Sequence, residues 1–154
     1  MRAVADWLHE YGTSHRNGVN KRLHFVCVPA IVLSILGLLW SLPVPSSFGL
    51  EPWLNWATLA VALALVYYLS LSPGLALGTL VAFALLFLIL RALLALPWPL
   101  WASCLAIFVL AWVGQFIGHA VEGKRPSFFK DVQFLLIGPL WLIAALYQRL
   151  GVRY

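Results

Sequence analysis

Charge is the scarcest commodity in this sequence. Asp, Glu, Lys and Arg together make up 10% of its 154 residues, and only five are acidic. An ordinary soluble domain carries about 25%. No polar stretch is long enough for an independent soluble module, and no internal repeat is visible. No short basic head runs straight into an apolar core with a small-residue cleavage site, so the N-terminus does not read as a cleavable signal. Cysteine is limited to Cys27 and Cys104, both inside apolar runs. A pair without framework spacing reads as free, packed thiols and says little about redox compartment.

What fills the chain is apolar, at 63% of residues. That excess is too large for one water-soluble core in so short a chain. A spanning helix needs about 20 mostly apolar residues, and four runs qualify: 25–42, 52–71, 74–96 and 100–121. A shorter fifth segment, 132–147, holds Gly138-Pro139 and reads as re-entrant, interfacial or a short fifth span. Prolines 43, 45, 52, 73, 97 and 99 sit in the links, where a missing donor and a restricted preceding residue fit helix ends. The expectation is an all-α, polytopic membrane bundle forming a single domain over 1–154. An amphipathic helix over 2–15 would lie on the membrane surface, with Val4, Trp7, Leu8, Tyr11 and His15 on one stripe.

The formal net charge of +5 would suit nucleic acid, but its placement argues against that partner. Arg2, Arg16, Lys21 and Arg22 precede the first run, and Lys124, Arg125 and Lys130 follow the fourth. The link between the first two runs and the Pro97–Pro99 link have no Lys or Arg. Under the positive-inside rule the N-terminus and segment 122–131 are cytoplasmic, which an even number of spans satisfies. Trp40, Trp53, Trp56, Trp98 and Trp101 would form the outer aromatic belt. Arg91, near the end of the third run, would snorkel outward. The location expected is an inner or plasma membrane in a bacterium, or the endoplasmic reticulum in a eukaryote.

Two polar groups remain, about ninety residues apart, and this topology brings both to the cytoplasmic side. Trp112, Gln115, His119 and Glu122 fall on one helix face, beside the G-x-x-x-G of Gly114 and Gly118. That motif would serve contacts within the bundle or between chains of a homo-oligomer. Asn17, Asn20 and His24 share another face. His15 is half a turn out of phase with His24, so a break near Asn17-Gly18 is required before both can aim at one point. Taken singly, each histidine is more often packed than ligating. Three histidines and a carboxylate on one side point instead to a metal site for zinc, iron, copper or nickel. Glu122 would be a ligand, a partner orienting one, or a base. Asn20 and Gln115 would orient ligands or bind substrate. No tight H-x-x-x-H motif is present.

The pattern formed by Tyr11, His15, Asn17, Asn20, His24 and Pro29, with the later W-x-x-Q-F-I-G-H of Trp112 to His119, Glu122, Lys124, Arg125 and Pro126, resembles a family of small membrane proteins. That family, formerly a domain of unknown function, includes the fungal iron-dependent 2-hydroxy fatty acid dioxygenase of phytosphingosine catabolism. The resemblance covers nearly the whole chain. One offset departs from it: Glu122 lies three residues after His119 rather than four, still on one helix face. The resemblance implies an iron(II) dioxygenase, with O2 as co-substrate, that shortens 2-hydroxy fatty acids by one carbon (α-oxidation). His15, His24 and His119 would be the metal ligands, and Glu122, Gln115 and Asn20 catalytic. Asn17, Tyr11, Lys21, Arg22, Lys124 and Arg125 would bind substrate, with the acyl tail in the bilayer or between helices. Two other readings stay open: a zinc-dependent lipid hydrolase, and a non-catalytic lipid-binding or transport protein whose histidines seal a polar cluster.

Overall fold

The computed structural model describes residues 3–46, 53–125 and 133–154. Arg2, Lys130, Pro52, Pro126 and the start of the 132–147 segment lie outside them. Every regular element among the described residues is helical: α1 (Val4–Gly12), α2 (Gly18–Trp40), α3 (Trp56–Leu71), α4 (Pro73–Leu94), α5 (Leu100–Glu122) and α6 (Phe134–Leu150). This confirms the all-α expectation. Three helices, α2, α4 and α5, are long and apolar enough to cross a membrane.

The remaining expected span corresponds to α3, a shorter apolar helix that packs beside α2 and α4. Its 16 residues reach about 24 Å at 1.5 Å per residue, short of a hydrocarbon core of about 30 Å. The cause is local. The Asn55 side chain accepts from the backbone N–H groups of Ala57 and Thr58, and the Thr58 hydroxyl answers the Asn55 N–H. This capping box starts the helix at Trp56 and leaves the first residues of the apolar run outside it. At the other end, Ser72 both closes α3 and caps α4, accepting from Leu75 N–H. The two helices therefore form a tight hairpin.

The backbone of the bundle is an antiparallel pair, α2 against α5. Asn20 lies against Gly118, Cys27 against Gly114 and Gly37 against Cys104. The G-x-x-x-G motif thus faces α2 within the chain, and both cysteines are buried and free. The α3–α4 hairpin packs on α2 around Leu33, Leu36, Val61, Tyr68, Phe83 and Leu90. Leu63, Val66, Leu77, Leu88 and Leu110 are more than 60% exposed. So much apolar surface on α3, α4 and α5 fits lipid as the solvent. Trp40 and Trp53 meet edge to face, and the Arg91 guanidinium lies 5.6 Å above the Trp53 ring. Arg91 thus reaches the tryptophan-rich end of the bundle.

The first helix is shorter than the 2–15 expected, and its apolar stripe has a protein partner. Trp7 packs edge to face on Phe134, and Tyr11 packs on Phe134 and Trp141 of α6. Helix α6 in turn lies against α4 and α2, its Tyr147 hydroxyl donating to the Gly74 carbonyl. The Tyr68 hydroxyl of α3 donates to the Leu136 carbonyl. The fifth apolar segment is therefore a packed wall of the molecule.

The close crossing at Gly118 is a sensitive joint. A Cβ there would sit 2.5 Å from Asn20 Oδ1. Gly118→Val should therefore destabilise the protein by about 1–3 kcal/mol through overpacking. Thermal unfolding in detergent, followed by circular dichroism, should show a lower midpoint; an unchanged midpoint would mean the helices do not cross there.

Candidate metal centre

Three histidines from three different elements meet at one end of the α2–α5 pair. His24 comes from the first turns of α2, and His119 from the last turn of α5. His15 comes from the five-residue link between α1 and α2. All three are buried, with one ring nitrogen from each lying within 4.8 Å of the others. The required break in the chain is present: α1 stops at Gly12, and Asn17 caps α2 by accepting from Val19 N–H.

The link that carries His15 is fastened on both sides. Lys124 Nζ donates to the Thr13 carbonyl at 2.7 Å, and Asn20 Nδ2 donates to the Ser14 carbonyl at 3.2 Å. Beyond His15, the backbone N–H of Arg16 donates to Glu122 Oε1 and that of Asn17 to Glu122 Oε2, each at 2.8 Å. Asn20 Nδ2 also reaches Glu122 Oε2 at 3.1 Å. Glu122 thus satisfies N–H groups at the start of α2, as acidic groups do at helix N-termini. Gly123 makes the hinge for Lys124. With φ of +71° it ends α5 in the left-handed conformation that glycine adopts without penalty.

The imidazoles are oriented by backbone. His15 Nδ1–H donates to the Tyr11 carbonyl at 2.6 Å, and His24 Nδ1–H to the Asn20 carbonyl at 3.1 Å. A carbonyl can only accept, so in the neutral rings both Nε2 atoms carry bare lone pairs. Yet these two atoms face each other at 2.8 Å. Burial pushes the His15 pKa down to about 4, overriding the Tyr11 carbonyl that favours the charged ring, so it stays neutral at neutral pH. Two buried lone pairs pointed at each other repel unless a cation lies between or beside them. His119 Nδ1 is likewise buried without a hydrogen bond among the described residues. Ligating histidines typically present one nitrogen and donate the other to a carbonyl. Nitrogens about 2.1 Å from one metal, at right angles, are about 3 Å apart. The donor set fits a divalent transition metal.

A cavity of about 90 Å³ opens beside this cluster. Tyr11, His24, Gln115 and His119 line its polar end, and Val28, Ile31, Val32, Ile35, Trp112 and Pro139 its apolar walls. Gln115 is 4% exposed and has no hydrogen bond among the described residues. The Tyr11 ring stacks on His15 at 4.3 Å, and its hydroxyl approaches Gly138 of α6. Both polar groups are placed to meet a bound ligand.

The other sequence candidates sit elsewhere. The Glu122 carboxylate is occupied by the backbone of residues 16 and 17, outside the histidine group, and Asn20 is buried beneath it as a bridge. Both side chains are engaged with the link that carries His15. Asn17 spends its side chain on the α2 cap and Lys124 on Thr13, so neither faces the cavity. Lys21 lines a separate cleft of about 570 Å³ with His9, Phe25, Trp141, Gln148 and Arg149. Arg22 and Arg125 are exposed. Conversely, the wall supplied by Leu135, Gly138 and Pro139 was not expected, since nothing in an apolar segment of α6 marks it as lining a site.

The site therefore belongs to a small helical protein of membrane-type composition with a buried three-histidine centre. Residues 1–150 match the family model described as 2-hydroxy-palmitic acid dioxygenase Mpo1-like, and the chain belongs to that family. It is 30% identical over 144 residues to the 2-hydroxy-palmitic acid dioxygenase MPO1 of Saccharomyces cerevisiae, covering 92% of this chain and 78% of that protein. No solved structure matches.

The histidines and Glu122 make separable predictions. His24→Ala or His119→Ala should abolish stoichiometric metal, measured by elemental analysis of purified protein. Glu122→Gln should keep the fold but weaken metal binding about 10–100-fold, the usual effect of losing a group that orients a ligand. Wild-type metal affinity in Glu122→Gln would show that His15 does not depend on this clamp.

Proposed function

We propose that this protein is a non-haem iron(II) dioxygenase that takes 2-hydroxy fatty acids and shortens them by one carbon. The observation that carries the reading is the pair of Nε2 lone pairs, His15 and His24, facing each other at 2.8 Å at the head of an apolar cavity. His15, His24 and His119 would hold the metal. When bound, iron(II) supplies the electrons for O2 chemistry and a Lewis acid for oxygen donors.

The chain's own residues do the rest. The Tyr11 and Asn20 carbonyls fix the tautomer and aim of two ligands. His15, His24 and His119 would hold the metal with no carboxylate in their group, and the cavity beside them would admit the substrate's 2-hydroxyl and carboxylate. The Gln115 amide and the Tyr11 hydroxyl supply hydrogen bonds to the substrate's polar head, and the apolar walls exclude water from it. The match to a relative named as a 2-hydroxy-palmitic acid dioxygenase supports the choice of substrate class.

The same reading places the protein as a multi-pass membrane protein with the N-terminus and site on the cytoplasmic side. Lys21, Arg22, Lys124 and Arg125 flank the histidine end in sequence, while Trp40, Trp53 and Arg91 cluster at the other. The basic side chains then engage headgroups and draw anionic substrates to the surface.

Oxygen uptake tests the activity. Purified protein reconstituted with iron(II) should consume O2 only when a 2-hydroxy fatty acid is present, and release the acid one carbon shorter. His24→Ala should reduce this to background. A three-histidine centre also suits catalytic zinc; lipid hydrolysis that needs zinc and ignores O2 would overturn the dioxygenase reading.

A further inference from the structure

The cavity at the histidines does not end where its polar groups end. His24, Val28, Ile31, Val32 and Ile35 line it on α2, which is one face of that helix. A second cavity of about 160 Å³ shares Val32, Ile35, Leu135 and Pro139 with the first. It continues along the same face to Leu36 and Leu39, where Ala60, Val61 and Ala64 of α3 form the opposite wall. A third, of about 220 Å³, shares Val28, Val32 and Pro139 but turns sideways toward Ala82, Leu85 and Leu86 of α4. It does not extend beyond Val32 on α2.

We infer that the substrate's acyl tail runs from the histidines along α2 into the slot between α2 and α3, and that Ala60 and Ala64 set the chain length accepted. This rests on the proposed activity for the identity of the head group. A single-chain amphiphile is the occupant that fits: one end of the track is three histidines, Gln115 and Tyr11, and the remainder is lined almost wholly by apolar side chains. From His24 to Leu39 the α2 face rises about 22 Å. A C–C bond of ~1.5 Å advances an extended chain by ~1.3 Å per carbon, so roughly sixteen or seventeen carbons fit. Alanine at 60 and 64 is what opens the slot. A larger side chain at either position would intrude on it, since both alanines line it.

Two measurements test the track. Ala64→Phe should cut turnover of 2-hydroxypalmitic acid about tenfold or more, a discrimination within reach of an apolar pocket, and leave 2-hydroxyoctanoic acid unaffected. Ala60→Leu, a smaller intrusion, should give an intermediate cut. Equal losses on both acids, or none on either, would overturn the assignment. The second readout is independent of turnover. A 2-hydroxypalmitic acid with a diazirine at its tail end, photolysed on the wild-type protein, should label Leu39, Ala60 or Ala64, and unlabelled acid should compete. Label at Leu85 or Leu86 would put the tail in the side branch, and label spread over Leu63 and Leu110 would mean bulk lipid; either overturns the track. Competable label at Ala64 with no O2 uptake would leave the track standing and remove the dioxygenase reading.

Discussion

The close crossing of α2 and α5 at Gly118 is the constraint on which the rest of the site depends. Because residue 118 has no side chain, Asn20 can lie flat against α5. From there its amide reaches both Glu122 and the Ser14 carbonyl. His24 is one turn further along α2, and His119 is the next residue on α5, so the same crossing brings those two rings to 5.0 Å. His15 is then located by what the crossing has already fixed. The elements are coupled: a shift that opened the crossing would move all three histidines and release the link. A buried polar cluster is unforgiving in this respect, since a partly satisfied one costs more than an apolar core.

Much of this is legible in the residue order, for identifiable reasons. The ends of α4 and α5 follow from Ser72-Pro73 and Pro99, which punctuate unambiguously. The two polar stripes can be read because helical period is rigid, and the phase conflict between His15 and His24 forces the break that Asn17 supplies. Other parts are hidden. Whether a Glu ligates, acts as base or caps a helix depends on a neighbour a hundred positions away, and local spacing is nearly the same for all three. Lys21 and Lys124 belong to one basic cluster in sequence, yet they point to opposite errands. The shortness of α3 lies in a capping box whose Asn and Thr are inconspicuous beside so much Leu and Ala.

A hydrophobic solvent changes the logic of the site. In water, a cavity walled by Val, Ile and Leu would tend to collapse, because its walls gain by closing on one another. In lipid that driving force is weak, and helices associate through packing and small residues instead. A groove between α2 and α3 is then cheap to maintain, and apolar lining residues need only leave room. The polar end obeys the opposite rule. Three buried imidazoles, an amide and a phenol are costly in such surroundings, so packing alone does not account for bringing them together.

The C-terminal helix completes the argument. Helix α6 has no ionisable side chain at the site, yet it closes the cavity through Phe134, Leu135, Gly138 and Pro139. It holds Tyr11 from one side and accepts Tyr68 from α3 on the other. Through Tyr11 it touches the histidine cluster indirectly, since the Tyr11 carbonyl aims His15 and its ring stacks upon it. An apolar segment too short to read as an ordinary span thus links helix α1, which aims His15, to the helix α3 that walls the far slot. The two ends of a bound amphiphile, head and tail, would therefore be sensed by one and the same element.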